Sequence, residues 1–170
     1  MQSITKQEVR KSIGKILRNL SPESRLSQST LIANKLLSLN VYKEASSVAM
    51  YLSMKTEVDT QLIMDDCFIS KKKVLVPKIL TDHDFELVTL MSKEEVESLQ
   101  KDKWGIPIPQ YDNSNRMIMH PETTPNVIIV PGVAFDSKCK RMGHGKGFYG
   151  SFDYFESFCR SLFRVFEELV

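Results

Sequence analysis

The sequence has little with which to build a stapled, metal-bound or membrane-embedded protein. Its three cysteines, Cys67, Cys139 and Cys159, are odd in number and widely spaced, with no CxxC pair. That argues against a disulfide framework or a zinc site and for free thiols in a reducing compartment. No apolar run approaches the ~18 residues of a membrane span, and no secretory signal pattern opens the chain. A cytoplasmic protein is expected. Net charge is only +2, too small to argue for nucleic acid by itself. There is a single tryptophan, and no internal repeat or low-complexity tract. What remains is an ordinary composition, 42% apolar and 26% charged over 170 residues, enough for one domain with its own core.

Against that plain background, residues 127–149 stand out. Val127-Ile128-Ile129-Val130 is a wholly apolar run stopped by Pro131-Gly132, the pattern of a strand buried on both faces. Gly143, Gly145 and Gly147 then alternate, with Lys146 among them and Arg141 just before. Alternate glycines let backbone N–H groups turn toward an anion without interference from Cβ. Arginine and lysine supply the countercharge, one as a fork and one as a point charge. Apolar residues at helical intervals after Gly150 would put this loop at a helix N-terminus, where anions are stabilised. The segment reads as a phosphate cradle. It is not a Walker A loop, because Lys146 is followed by Gly147 and not Ser or Thr. A dinucleotide fingerprint fits poorly too. From the glycines alone, a plain surface turn fits as well.

Along the chain, residues 6–20 predict an amphipathic helix, with Val9, Ile13, Ile16, Leu17 and Leu20 at three- and four-residue steps. At about 100° per residue, Lys11, Lys15 and Arg18 point away from that stripe, while Lys6 and Arg10 lie beside it. Cations there are costly unless they meet an anion or snorkel to water. A basic amphipathic start also matches a mitochondrial presequence, against which Glu8 and the low serine content weigh. Ser21-Pro22 caps a second helix to about residue 39. Residues 47–52 read as a buried strand, Thr60 begins a third helix to about residue 70, and Lys71-Lys72-Lys73 reads as a solvated helix end. Residues 74–77 form another buried strand, 85–90 a more exposed one, and Ser92 caps a short acidic helix. Residues 101–124 are loop-rich and house Trp104. Helices alternating with apolar strands predict an α/β fold with a mostly parallel sheet and a ligand site beyond the carboxyl ends of its strands. Both the glycine loop and residues 53–59 fall there.

Several motifs together resemble one known family. They are Lys6-x-x-x-Arg10, Tyr51-Leu52-Ser53-Met54 with Glu57-Val58-Asp59-Thr60, Trp104-Gly105-Ile106-Pro107, and Val130-Pro131-Gly132-Val133-Ala134-Phe135-Asp136 leading to Arg141-Met142-Gly143-His144-Gly145-Lys146-Gly147-Phe148-Tyr149. In this order and spacing the chain resembles 5-formyltetrahydrofolate cyclo-ligase over essentially its whole length. The resemblance implies a single domain over residues 1–170, a three-layer α/β/α sandwich, and ATP- and magnesium-dependent closure of 5-formyltetrahydrofolate to 5,10-methenyltetrahydrofolate. Lys6 and Arg10 match the family's N-terminal nucleotide-phosphate contacts. Arg141, Gly143, His144, Gly145, Lys146, Gly147, Phe148 and Tyr149 match its phosphate-binding loop, with Lys146 and Arg141 as the catalytic cations. Leu52 and Glu57 match folate contacts, and Trp104 and Tyr149 would wall the site. Taken alone, Trp104 reads equally as a core or lid residue, and Glu57 reads more readily as a mere loop carboxylate than as a ligand contact. The implied partners are folate and ATP, without nucleic acid or membrane, for a monomer.

Two features depart from the family. Its loop ends Tyr-Asp, the aspartate being associated with magnesium. Here that position is Gly150, leaving Asp153, a turn later, as the candidate ligand, although ATP phosphates and water can hold much of the ion. Family members also continue past this helix with more strands, so a C-terminally incomplete domain is expected, ending in an aromatic-rich tail. His144 stands where arginine is common. The rival reading is a catalytically impaired folate- or nucleotide-binding remnant. A third, a kinase indifferent to folate, is disfavoured by the match from Leu52 to Thr60.

Overall fold

The computed structural model describes residues 5–81, 85–103, 105–110, 116–117, 125–136 and 140–145. The chain opens with α1 (Lys6–Asn19), whose start is set by a reciprocal cap. Thr5 Oγ1 accepts the Glu8 N–H at 3.2 Å, and Glu8 Oε2 accepts the Thr5 N–H at 2.8 Å. The Thr5 backbone N–H is the main cause holding the Glu8 carboxyl below its ordinary range, with the Thr5 hydroxyl adding to it. Lys11, Lys15 and Arg18 face solvent as expected, and Val9, Ile13, Leu17 and Leu20 are half-buried. Ile16 is a correction: it is 63% exposed, and no residue of α1 is fully buried. Next, α2 (Pro22–Ser38) has Ser21 Oγ as cap and proline in its first turn. It turns Ser29, Ala33 and Leu36 inward at helical spacing. The short α3 (Asn40–Lys43) contributes the buried Tyr42.

The strands then build the sheet: β1 (Ser47–Ala49), β2 (Lys73–Ile79), β3 (Phe85–Leu90), β4 (Arg116–Met117) and β5 (Val127–Ile128). Their order is β4-β3-β2-β1-β5. As expected for an α/β fold, its centre is parallel: β1 pairs parallel with both β2 and β5. The sheet is mixed, because β3 and β4 add to the β2 side antiparallel. The crossover from β1 to β2 is α4 (Gln61–Ile69), which packs on β2 and α2. The core lies between these layers. It joins Val48, Val74 and Val76 of the strands to Ala33 and Leu36 of α2, Tyr42, and Ile63, Met64 and Cys67 of α4. Each fully buried aliphatic side chain there contributes about 1.5–3 kcal/mol.

Three local expectations change. Residues 85–90 are not the more exposed strand: Phe85, Leu87, Val88 and Leu90 are all buried, since β3 sits between two neighbours. Thr60 is the cap residue of α4, yet its hydroxyl makes no cap bond. Asp59 Oδ1 instead accepts the Gln61 N–H at 2.9 Å. The lysine run is the expected solvated helix end only in part: Lys71 and Lys73 are exposed, while Lys72 is half-buried. Lys72 Nζ donates to Lys43 O at 2.9 Å and Ala45 O at 2.7 Å while lying 5.2 Å from the centre of the Tyr42 ring, and Lys73 opens β2. Carbonyls at the end of α3 attract this cation. After α4 come α5 (Lys93–Ser98), capped by Ser92, and a two-stranded antiparallel pair of β6 (Ala134–Phe135) and β7 (Arg141–Met142).

Candidate functional site

The parallel centre of the sheet determines where a site can form. Beyond Ala49, the chain stays in the sheet for one more step on each side: Met50 N–H bonds Leu75 O at 2.9 Å, and Ile129 N–H bonds Ala49 O at 2.7 Å. The segments leaving β1 and β5 therefore emerge side by side at the carboxyl end of the sheet. One carries Glu57, and the other carries the glycine loop.

The loop after β1 is held by its own hydrogen bonds. Glu57 N–H donates to Met54 O at 3.0 Å, and Glu57 Oε2 accepts the Met54 N–H at 2.9 Å. This closes a turn with the carboxylate folded back over it. The Tyr51 hydroxyl donates to Val58 O at 2.9 Å. Leu52 is half-buried against the core cluster beneath.

The other wall is braced by Arg141. Its Nη1 donates to Pro131 O at 2.8 Å, tying β7 back to the end of the β5 segment. Val133 N–H to Met142 O at 2.7 Å closes the same link. Space is tight along this path. A Cβ on Gly143 would stand 2.9 Å from Arg141 Nη1, and one on Gly132 2.5 Å from the Phe135 ring.

Onto this loop comes Arg10 from α1, 133 positions earlier. Its Nε donates to Gly143 O at 2.8 Å in a half-buried contact. A Cβ on Gly145 would lie 3.4 Å from the Arg10 Cζ, and Gly145 adopts φ +100, a conformation glycine tolerates and L side chains rarely adopt. Between the two glycines, His144 turns toward the first wall: its Nε2 is 3.7 Å from Glu57 Oε1. The Glu57 side chain is 10% exposed and that of His144 56%. One helix cation, the glycine backbone and the half-buried carboxylate thus converge at the carboxyl ends of β1 and β5.

A model of the family described as "5-formyltetrahydrofolate cyclo-ligase family" matches residues 2–159. The chain belongs to that family. It is 38% identical over 151 residues to the probable 5-formyltetrahydrofolate cyclo-ligase of Schizosaccharomyces pombe, covering 88% of this chain and 72% of the relative. The 5-formyltetrahydrofolate cyclo-ligase of Mus musculus is 32% identical over 148 residues, 86% of this chain and 72% of that protein. In three dimensions the chain is similar to the Aquifex aeolicus 5,10-methenyltetrahydrofolate synthetase, with TM-score 0.70 and 32% identity over 86% of this chain and 71% of that one.

Of the cyclo-ligase residues anticipated from sequence, Arg10, Glu57, Arg141, Gly143, His144 and Gly145 meet at this site, with Leu52 under it. Lys6 is exposed, one turn before Arg10 on α1. Trp104, Lys146, Gly147, Phe148, Tyr149, Gly150 and Asp153, with the helix expected after the loop, lie outside the described residues. Sequence reasoning missed Ser29, the Thr5 cap and the inward bond of the Thr60 hydroxyl to Tyr51 O. The signal for Ser29 was a hydroxyl residue in register with the inward Ala33 and Leu36. Among the described residues, no group of three or more His, Cys, Asp and Glu is assembled to hold a metal, and no helix is long and apolar enough to cross a membrane.

Proposed function

We propose that the chain catalyses the ATP-dependent closure of 5-formyltetrahydrofolate to 5,10-methenyltetrahydrofolate, releasing ADP and phosphate. The observation that carries this reading is the Arg10 Nε bond to Gly143 O, which brings the opening helix onto the glycine loop. A formamide oxygen is a poor leaving group. The reaction therefore moves the γ-phosphoryl group of ATP onto the formyl oxygen; the neighbouring N10 amine attacks the formyl carbon and loses its proton. The C–O bond then breaks, and the formyl oxygen departs within phosphate. Such chemistry calls for positioning and charge neutralisation more than for a covalent nucleophile.

In this reading Arg10, with Lys6 and Lys146, neutralises the polyphosphate, and the backbone of residues 143–147 cradles it. Arg141 holds that backbone in shape. Glu57 accepts hydrogen bonds from the pterin over the floor formed by Leu52, and Trp104 and Tyr149 wall the folate. Magnesium, when bound on the ATP phosphates, spreads the developing charge. Asp153 is the candidate protein ligand. The free, buried Cys67 suits a reducing, cytoplasmic setting. The test is to mix protein, 5-formyltetrahydrofolate and magnesium-ATP and follow the ultraviolet band of the methenyl product. A rise that requires both substrates is expected. Folate binding with no product would mark a non-catalytic remnant and overturn the assignment.

A further inference from the structure

Two buried polar side chains occur among the described residues, Ser29 and Thr60, each 2% exposed. Both spend their hydrogen bonds on the same irregular loop. Ser29 Oγ, on α2, accepts the Asp59 N–H at 2.9 Å across 30 positions. Thr60 Oγ1 donates to Tyr51 O at 2.9 Å. The Tyr51 hydroxyl in turn donates to Val58 O at 2.9 Å. A buried polar group is costly unless bonded, and α2 would pack more simply with alanine at position 29. The bonds fall on residues 58, 59 and 60, directly behind Glu57, whose carboxylate is only 10% exposed and folded back onto Met54.

We propose that Ser29 is a positioning residue of the folate site, which rests on the function proposed above. From the core side it pins the Asp59 N–H, and so sets the height at which Glu57 meets the pterin. Ser29 touches neither substrate. Its effect is selective for folate, because the nucleotide wall is braced separately, through Arg10 and Arg141.

Titration calorimetry of the full chain with 5-formyltetrahydrofolate and, separately, ATP tests this in the wild type, Ser29→Ala and Tyr51→Phe. The expected result is a folate Kd raised about tenfold in each variant, with the ATP Kd held within about twofold. A lowered melting temperature with unchanged folate affinity would assign Ser29 a structural role only and overturn the inference. Equal loss of both ligands would overturn it too. Where Ser29→Ala does not fold, Ser29→Cys, which keeps a side chain of similar size but is a much weaker acceptor for the Asp59 N–H, carries the same test. A wild type that binds no folate removes the proposed function and this inference together. Wild-type binding with unaltered variants removes the inference alone.

Discussion

At Arg10 and Gly145 two residue types are bound to each other's chemistry. A Cβ on Gly145 would touch the guanidinium at ordinary contact distance, 3.4–3.7 Å, but the backbone there is at φ +100. Gly145→Ala therefore meets conformational strain of about 1–2 kcal/mol, which shifts the loop backbone that Arg10 holds. ATP affinity should fall by about tenfold or more, as read by titration with the folded state verified by circular dichroism. Unchanged affinity would separate this glycine from the phosphate wall. Glu57 makes a different prediction. Glu57→Gln keeps an oxygen to accept the Met54 N–H but removes the charge, so folate affinity should drop about tenfold while ATP binding and melting temperature stay put. Equal folate affinity in the two proteins would show that the carboxylate does not face the pterin. Both residues were legible in the sequence, because glycine and a motif carboxylate announce themselves by type. Ser29 was not: a single hydroxyl in a helix is usually solvated, and its partner lies 30 positions away.

At the scale of elements, the starts and ends of the helices were legible to within about a residue, but the hydrogen bonding that closes α4 was not. Ser21-Pro22 and Ser92 stop and start the chain through local hydrogen bonds, which sequence spacing captures. The end of α4 depends on a backbone conformation that its residues do not advertise. Lys71 sits at φ 56, while Lys71 N–H bonds Phe68 O at 3.2 Å and Lys72 N–H bonds Cys67 O at 2.8 Å. This is the closing pattern usually completed by glycine. The next residue, Lys72, meets the carbonyls of Lys43 and Ala45. Lys71→Gly should relieve the left-handed strain and stabilise the fold by up to about 1 kcal/mol after the entropic loss of glycine is offset. That corresponds to a rise in melting temperature of about 2–4 °C. A fall would show that the lysine side chain itself stabilises the turn. The misreading of residues 85–90 as exposed has a similar origin: alternation describes a strand with one wet face, and the pairing of β3 on both edges is a non-local fact.

Across the whole molecule, one core supports the site, and its charge state gives a global prediction. Burial is the main cause that raises the Cys67 thiol above its ordinary 9.0, with Asp66 adding to it and Tyr42 and Lys72 opposing it. Burial likewise leads in raising the Tyr42 hydroxyl above 10.0, helped by its contacts with Cys67 at 3.2 Å and Asp66 at 2.7 Å. Both groups are neutral in the fold and in the unfolded chain below about pH 9, so they make no difference there. Above it the unfolded chain ionises first, and stability falls as pH rises. The melting temperature should decline from about pH 9 upward, and Tyr42→Phe should flatten the decline. A flat profile in the wild type would contradict this account of the core. The parallel centre of the sheet then carries the two loops outward together, so that the glycine backbone, Arg10 and Glu57 meet although they lie at positions 10, 57 and 143–145. An ATP titration of the wild type against Arg10→Ala asks whether that meeting makes a nucleotide site. Loss of the cation and of its bond to Gly143 O should weaken ATP binding by about 1.5–3 kcal/mol, with the helix start at Thr5 intact. Equal ATP affinity in a folded Arg10→Ala variant would mean that the opening helix braces the loop without taking part in a nucleotide site.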